Sequence, residues 1–329
     1  MSRAIYNAVD LTPENEHILL WAGLERPDDS RFASVEPFHT TAIVDRARAV
    51  REAVARLQPD FVHAHSSWAG VYSRLFRVDA PVIYQPHCYK FEDRAESPVK
   101  RLFYWVAESA LSLRTSAVVV LSPREDRMAK KLNPSVDRAF VPNSPTLEPS
   151  GASTSGALYN RVFMIGRISK QKDPHYFLRV AEIVRASEPA TSFVWVGDGD
   201  IDTRDALIAA GVDVTGWLGA DELSALLREG GVYLHSAAYE GFPLSVLDAA
   251  AFDVPIVARA IPAFDGAPVI QASSEAEAAR LVVALRRGDE RVRRDAAAAG
   301  IALLESMSRE KQSEGLRALY GSRELSEVS

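Results

Sequence analysis

The chain has 329 residues, of which 47% are hydrophobic and 25% charged, and its net charge is −6. This acidic balance disfavours a general nucleic-acid binder, which normally carries a basic surface. The single cysteine, Cys88, excludes an internal disulfide. No apolar run approaches the ~20 residues of a membrane-spanning helix, and the N-terminus lacks the pattern of a secretion signal. We therefore expect a cytoplasmic protein. Peripheral contact with the inner face of the plasma membrane is compatible with this expectation.

Short β-branched runs alternate with longer amphipathic segments in the first half. The predicted strands are 17–23, 61–65, 82–87, 117–122 and 139–143. The predicted helices are 41–57, 68–76, 97–114 and 123–132. Strands separated by helices in this way predict βαβ units and a parallel sheet.

The alternation stops at 144–157, whose sequence SPTLEPSGASTSGA has linker composition, and then restarts. The next predicted strands are 162–168, 192–197, 212–217, 232–236 and 255–259. The next predicted helices are 174–187, 202–210, 220–229, 244–252 and 274–287.

This organisation predicts an α/β fold with two Rossmann-like, doubly wound parallel-sheet domains. The N-terminal domain spans 1–145, the linker 146–157 and the C-terminal domain 158–329, with the last helix, 309–320, packing back on the N-terminal domain. Such sheets bind ligands outside the carboxyl ends of their strands, so a ligand is expected in a cleft between the domains.

The start of the chain departs from this scheme. Residues 2–11 have a helical pattern, where a doubly wound domain would open with a strand and a Gly-rich turn. The first strand of the N-terminal domain is therefore expected to be missing. A start codon placed too late is the preferred explanation, because 2–11 has the pattern expected directly after such a turn.

The segment 164–174, MIGRISKQKDP, joins the end of a strand to the start of a helix. Asp173 is a good N-cap, and Pro174 suits the first helical position. Arg167 and Lys172 therefore lie in a turn beside a helix N-terminus, whose N–H groups attract anions. Two cations there suit a diphosphate, although a solvated basic loop explains the pattern equally well.

Glycines follow the next buried strand, where Gly197, Asp198 and Gly199 form a Gly-Asp-Gly turn. Glycine permits positive φ and a close approach of its backbone. Taken alone, this turn is explained more simply as an ordinary strand–loop connection.

The segment 235–258 carries two acids. Glu240 lies in a loop at the end of a strand, and Asp248 lies in the first or second turn of the next helix. A loop carboxylate can accept hydrogen bonds from sugar or ribose hydroxyls. An exposed loop acid and a partner for the helix dipole are the structural alternatives. The neighbouring Gly241 and Phe242 favour a binding role for Glu240.

Together these segments resemble the retaining glycosyltransferases of family 4, which have the GT-B fold. The first half is similar at 60–67, 86–87, 118–122 and 141–143, so the resemblance covers nearly the whole chain from Arg3. In the C-terminal half, four motifs occur in the order of that family: Gly166-Arg167…Lys172, Gly197-Asp198-Gly199, Glu240-Gly241-Phe242-Pro243 and the acid Asp248.

The resemblance implies a transferase that moves a sugar, with retention, from a UDP- or GDP-linked donor to an acceptor hydroxyl. The acceptor would be a glycan, a glycolipid or a small molecule, the setting cell-envelope or polysaccharide biosynthesis, and neither a cofactor nor a metal is implied. The implied catalytic residues are Glu240 and His87 near the reacting sugar and Arg167 and Lys172 at the donor diphosphate. The implied donor-binding residues also include Gly166, Gly197, Asp198, Gly199, Gly241, Phe242, Pro243 and Leu244, with Asp248 at the ribose.

One departure concerns Asp248, because the family usually has Glu there and Asp is one methylene shorter. Ribose contact is then expected to be looser or mediated by water. A basic helix face at Arg127, Lys130 and Lys131 would suit anionic lipid or a lipid-diphosphate acceptor, although a solvated face is the simpler interpretation.

Three histidines, His63, His65 and His87, lie at predicted strand ends. A zinc site needs three or four close ligands, often including a carboxylate or thiolate. Ordinary packing is the preferred explanation for His63, so no metal site is predicted.

The sequence also bears on two alternative functions. A non-catalytic nucleotide-sugar-binding or scaffold protein is favoured by the missing N-terminal loop. A dinucleotide-binding oxidoreductase is excluded, because no G-x-G-x-x-G follows a first strand.

Overall fold

The computed structural model describes residues 2–23, 27–93, 95–149 and 159–321. The chain divides into two compact units. One takes the chain up to Asn143 together with the segment from Arg309, and the other runs from Ser144 to Ser308. Most of the predicted linker, 150–157, lies outside the described residues.

The first unit alternates strands and helices. Its strands are β1 (Ile18–Trp21), β2 (Ser34–Pro37), β3 (Val62–His65), β4 (Val82–Gln85), β5 (Ala117–Val120) and β6 (Asp137–Phe140). Its helices are α1 (Ser2–Asp10), α2 (Ile43–Leu57), α3 (Ser67–Arg74), α4 (Pro98–Ser112) and α5 (Pro123–Leu132), with α12 (Arg309–Gly321) from the end of the chain.

The strands of this unit lie in two separate parallel sheets, β1-β2 and β3-β4-β5-β6. Both faces of β5 are buried, as expected for a parallel strand between helices. Val118 and Val120 pack with Met128 of α5 on one face. Ala117 and Val119 pack on the other face with Leu316 and Leu319 of α12.

The core of the first unit contains a buried ion pair. Arg74 Nη2 donates to Glu108 Oε2 at 2.9 Å, and the hydroxyl of Tyr84 donates to Glu108 Oε1 at 2.9 Å. The guanidinium also lies over the Tyr84 ring, 3.7 Å from its centroid. Both carboxylate oxygens are therefore satisfied, and the acid of α4 points into the protein.

The second unit contains one parallel sheet between helices. Its strands are β7 (Arg161–Ile165), β8 (Ser192–Val196), β9 (Asp213–Val214), β10 (Val232–His235), β11 (Ile256–Arg259) and β12 (Ile270–Ala272). Its helices are α6 (Pro174–Ser187), α7 (Ile201–Ala209), α8 (Ala220–Arg228), α9 (Leu244–Ala251), α10 (Glu275–Arg287) and α11 (Glu290–Ser306).

The strand order of this sheet is β12-β11-β10-β7-β8-β9. From β7 the chain first builds outward to β8 and β9, and then returns to place β10 on the other side of β7. The order therefore reverses between β7 and β10. In doubly wound sheets, the crevice outside the carboxyl ends of the strands at such a switch point is where ligands bind.

The α/β fold with parallel sheets is confirmed, but several strands differ from the sequence prediction. β2 and β12 were not predicted, and β6 begins two residues before the predicted strand 139–143. The sequence of β2, SVEP, is short and contains proline, which a strand tolerates at the edge of a sheet. No helix in the described ranges is both long and apolar enough to cross a bilayer.

Candidate functional site

The turn after β7 has the local structure that its sequence predicts. Asp173 caps α6 by accepting a hydrogen bond from the Tyr176 amide, and Pro174 occupies the first helical turn. Arg167 is exposed in this turn. A Cβ on Gly166, whose φ is 153°, would lie 2.8 Å from Lys172 Cε, so glycine makes room for the lysine side chain.

The turn after β7 meets the loop after β10 through an ion pair. Lys172 Nζ lies 2.6 Å from Glu240 Oε1, and the two side chains are only 16% and 9% exposed. Gln171 Nε2 donates to the other carboxylate oxygen at 3.3 Å and to the Tyr239 carbonyl at 3.2 Å. The Coulomb attraction is weakly screened at such exposure, so the pair holds both side chains in place.

Hydrogen bonds to backbone carbonyls reinforce the junction of these two loops. The Ser236 hydroxyl donates to the Lys172 carbonyl at 2.6 Å. The Ala238 amide donates to the Gln171 carbonyl at 2.8 Å. The structure therefore brings Lys172 and Glu240 together on a fixed backbone at the switch point between β7 and β10.

The Gly-Asp-Gly turn after β8 packs on the turn after β7. A Cβ on Gly197, whose φ is 140°, would lie 2.2 Å from the Gly166 carbonyl oxygen. A Cβ on Gly199 would lie equally close to the Ile168 carbonyl oxygen. The close approach that these glycines permit is therefore between two backbone segments of this protein, the turn after β8 and the turn after β7. Asp198 accepts a hydrogen bond from the Gly199 amide at 2.8 Å.

The segment after Glu240 is anchored in the core. Phe242 is buried, and its ring packs edge-on against Phe264 with centroids 5.5 Å apart. Gly241 and Pro243 are also buried, and α9 begins at Leu244. The role that the resemblance implies for this segment, contact of its backbone with the sugar and phosphate, stays a prediction.

Asp248 lies in the second turn of α9 and is fully buried. Its Oδ1 accepts hydrogen bonds from the Thr146 amide at 2.7 Å and from the Leu147 amide at 3.2 Å. The Thr146 hydroxyl donates to the same oxygen at 3.1 Å. The carboxylate thus holds the start of the predicted linker, and the ribose contact stays a prediction.

A polar group near the ion pair was not predicted from the sequence. The hydroxyl of Tyr233 lies 2.8 Å from Ser245 Oγ and 3.0 Å from Nδ1 of the fully buried His235. Burial, and then the charge of Lys172, lowers the pKa of His235 well below its usual value. The neutral ring adds no second cation beside Lys172. His235 lies two residues after Tyr233 on a buried strand, and nothing in that pattern predicts a contact between their side chains.

His87 lies in the first unit, two residues beyond β4, with φ of 55°. Left-handed φ is uncommon for a non-glycine residue and marks a backbone held by its surroundings. Its Nε2 lies 3.1 Å from Nδ1 of His65. The His65 ring packs 4.0 Å from that of His63, whose Nδ1 lies 2.8 Å from the Tyr320 hydroxyl.

Burial keeps this histidine cluster neutral. It lowers the pKa of His65 to about 4. Burial, and then the neighbouring His65, lowers the pKa of both His63 and His87 well below the usual value. In the described part of the chain, no group of three or more His, Cys, Asp or Glu side chains could hold a metal ion. Hydrogen bonds among neutral rings and a tyrosine account for the cluster.

Two protein-family models match the chain. The one described as Glycosyl transferase 4-like domain matches residues 16–144, and the one described as Glycosyl transferases group 1 matches residues 159–287. Together they cover most of the sequence. Residues 159–287 therefore form a group 1 glycosyl transferase domain, residues 16–144 form a glycosyl transferase 4-like domain, and the chain has the GT-B fold.

A curated relative comes from Escherichia coli, the UDP-Gal:alpha-D-GlcNAc-diphosphoundecaprenol alpha-1,3-galactosyltransferase. It is 25% identical over 222 residues, which are 60% of this chain and 57% of that protein. The chain thus matches less than two thirds of the length of this relative.

Two solved structures are similar in fold. Anabaena HepE, in complex with UDP and glucose, has a TM-score of 0.78 at 13% identity, covering 98% of this chain and 96% of its own. Sucrose-phosphate synthase from Thermosynechococcus elongatus has a TM-score of 0.77 at 14% identity, covering 96% and 91%.

Proposed function

We propose that the protein is a nucleotide-sugar-dependent glycosyltransferase that uses a UDP- or GDP-linked donor and retains the anomeric configuration. The observation that carries the proposal is the pairing of Lys172 with Glu240 at the switch point of the second unit. It places a cation that suits a diphosphate beside a carboxylate that suits sugar hydroxyls. The group 1 glycosyl transferase domain supports the same reaction class.

The proposed reaction breaks the bond between the anomeric carbon of the donor sugar and the diphosphate oxygen, and that carbon forms a bond to the acceptor oxygen. The acceptor hydroxyl gives up its proton, which the departing diphosphate can take. Negative charge develops on the departing diphosphate. Arg167, exposed in the turn after β7, and Lys172 would stabilise this charge, which is the type of interaction that contributes most to many enzymatic rates. Gly166 and the turn 197–199 would border the phosphates.

The remaining roles divide between the sugar and the nucleoside. Glu240 would exchange part of its contact with Lys172 for hydroxyls of the bound sugar, and the backbone from Gly241 to Leu244 would lie along the sugar and phosphate. Asp248 is assigned to the ribose, and that contact requires the segment at Thr146 to give way, because its amide occupies the carboxylate. His87 would offer a neutral ring to the reacting sugar.

The acceptor is proposed to be a growing glycan or glycolipid of the cell envelope. The E. coli relative acts, by its name, on a sugar carried by diphosphoundecaprenol, which is a lipid. An acceptor of that kind would place the reaction at the inner face of the plasma membrane, with the protein bound peripherally. A small-molecule acceptor is the alternative that a substrate screen would reveal.

Titration calorimetry with UDP and GDP tests the donor site on the full chain. We expect one of the two to bind, and Lys172→Met to weaken it about tenfold to hundredfold, because a hydrogen bond to a charged group contributes ~1.5–3 kcal/mol. Lys170→Met is the matched control, since Lys170 is an exposed lysine of the same turn. If neither UDP nor GDP bound, the donor site would be refuted.

A donor panel then tests turnover. Release of nucleoside diphosphate that depends on a glycan or glycolipid acceptor is the expected result, and NMR of the product reports the anomeric configuration. Binding without any turnover on the panel would favour a non-catalytic nucleotide-sugar binder. An inverted product would contradict retention while leaving the donor site intact.

A further inference from the structure

The outer face of α4 in the first unit is apolar and exposed. Its side chains Val99, Leu102, Phe103, Val106 and Leu113 are 78%, 62%, 67%, 53% and 80% exposed, counting Leu113 just beyond the end of the helix. Their spacing of three, four and seven residues places them on one stripe of the helix. Single exposed apolar residues are ordinary, but a contiguous stripe marks a surface that contacts something else.

The acidic side chain of α4 faces inward. Glu108 is the only acid of the helix, and its carboxylate is buried against Arg74 and Tyr84. The exposed face of α4 therefore presents no carboxylate of its own. Trp105, 39% exposed beside the stripe, adds a ring of the kind enriched where protein meets a membrane interface.

The charges around the stripe are mainly positive. Lys100 and Arg101 lie in the first turns of α4, and one of them, Lys100, is paired with Glu96 at 3.2 Å. The adjacent helix α5 exposes the cations Arg127, Lys130 and Lys131. This local excess of cations stands against a net charge of −6 for the whole chain.

We propose that the outer face of α4, with the cations of α5 beside it, binds the surface of a bilayer that contains anionic lipid. A helix with bulky apolar and aromatic residues on one face and cations at its flanks lies in the plane of the interface and buries its apolar face at the headgroup boundary. The negative surface potential of such a bilayer attracts the flanking cations. Binding of this face to a bilayer does not depend on the proposed function. Only the use of that binding, which is access to an acceptor carried on a lipid, rests on the proposed function.

Co-sedimentation of the full chain with vesicles tests the proposal without donor or acceptor. We expect binding to vesicles of phosphatidylglycerol and phosphatidylcholine in equal parts, and little binding to phosphatidylcholine alone. The variant Leu102→Glu/Phe103→Glu should reduce partitioning at least about tenfold, because it removes two apolar side chains from the stripe. Lys130→Gln/Lys131→Gln should weaken binding to the anionic vesicles by about fivefold per lysine.

Ile301→Glu is the matched control, because Ile301 is 59% exposed on α11 of the second unit. It should bind vesicles like the parent protein. Absence of binding by the parent protein, or equal loss in the control and the α4 variant, would overturn the proposal. A dimer in light scattering that Leu102→Glu/Phe103→Glu abolishes, without vesicle binding, would instead assign the stripe to self-association. Because no nucleotide is used, these outcomes are independent of the donor site.

Discussion

Lys172 Nζ and Glu240 Oε1 lie 2.6 Å apart, although the two residues are 68 positions apart in the sequence. The contact joins the turn after β7 to the loop after β10, the two strands between which the sheet order reverses. Each side chain holds the other in place, so the cation and the carboxylate are already positioned when a ligand arrives. Preorganised charges of this kind need little rearrangement during a reaction.

The first prediction separates the roles of the two charges. Glu240→Gln should reduce turnover about a hundredfold, because one positioned electrostatic group contributes on that order. Its affinity for nucleoside diphosphate should stay unchanged or improve, since Lys172 loses its ionic partner. Arg167→Ala should weaken both turnover and affinity.

Calorimetry with the preferred nucleotide and initial rates on the preferred donor measure the two effects. Lys170→Met again serves as the control in the same turn. If Glu240→Gln and Arg167→Ala lost nucleotide affinity to the same degree, the division of roles between sugar and diphosphate would be wrong.

Local patterns of the sequence predicted the elements that carry the site. Asp173-Pro174 marked the start of α6. The contact between Lys172 and Glu240 was not predictable in this way, because it depends on which strand lies beside β7. Strand order is a property of the whole sheet.

The burial and exposure of particular side chains were also not predictable from the sequence. The spacing in 97–114 predicts a helix, but it does not say which apolar residues of α4 face solvent. Asp248 matches an acid of the family motif, yet its hydrogen bonds to Thr146 and Leu147 arise from how the chain enters the second unit. The short edge strand β2 escaped prediction because SVEP has one bulky apolar residue.

A second prediction concerns stability and follows from the burial of Asp248. In Asp248→Asn, an amide replaces a carboxylate that accepts hydrogen bonds from two backbone amides and a hydroxyl. We expect the free energy of unfolding to fall by ~1.5–3 kcal/mol, the usual contribution of hydrogen bonds to a charged group. Urea unfolding measures this change.

Asp205→Asn, on the exposed surface of α7, is the control and should leave stability unchanged. The nucleotide affinity of Asp248→Asn separately tests whether Asp248 contacts the ribose. A variant as stable as the parent protein would mean that the contacts to Thr146 and Leu147 contribute nothing to folding.

A third prediction uses the close approach of two backbones at Gly197. Gly197→Ala would place a Cβ 2.2 Å from the Gly166 carbonyl oxygen, at a φ of 140°. Backbone strain of this kind costs about 1–3 kcal/mol, and the clash adds to it. We expect destabilisation of at least about 2 kcal/mol in urea unfolding, with weaker nucleotide binding because Gly166 must shift.

Gly300→Ala is the matched control, because a Cβ there meets nothing within 4 Å in the middle of α11. Alanine is the better helix former, so this variant should gain about 0.5–1 kcal/mol. Equal stability of the two alanine variants would show that the loops after β7 and β8 adapt without strain.

The last prediction concerns the stability of the first unit at acid pH. Burial lowers the pKa of His65 to about 4, against an ordinary value of 6.5. Between these values the unfolded chain binds a proton that the folded chain does not. Acidification through this range therefore favours unfolding, and stability is fully present above pH 6.5. The slope for one such group approaches 1.4 kcal/mol per pH unit, or about 2 kcal/mol by pH 5.

Urea unfolding of the parent protein and of His65→Gln at a series of pH values measures the contribution of His65, including its effect on the neighbouring His63 and His87. Glu125 acts in the opposite sense, because burial raises its pKa to about 7 from 4.5, but it is common to both proteins and cancels in the difference. The stability difference between parent and variant should be constant above pH 7 and should shift by about 2 kcal/mol in favour of the variant at pH 5. His39→Gln, at an exposed position, should show no such shift. A pH-independent difference for His65→Gln would mean that the ring is protonated as readily in the folded chain as in the unfolded one, and the neutral histidine cluster would have to be abandoned.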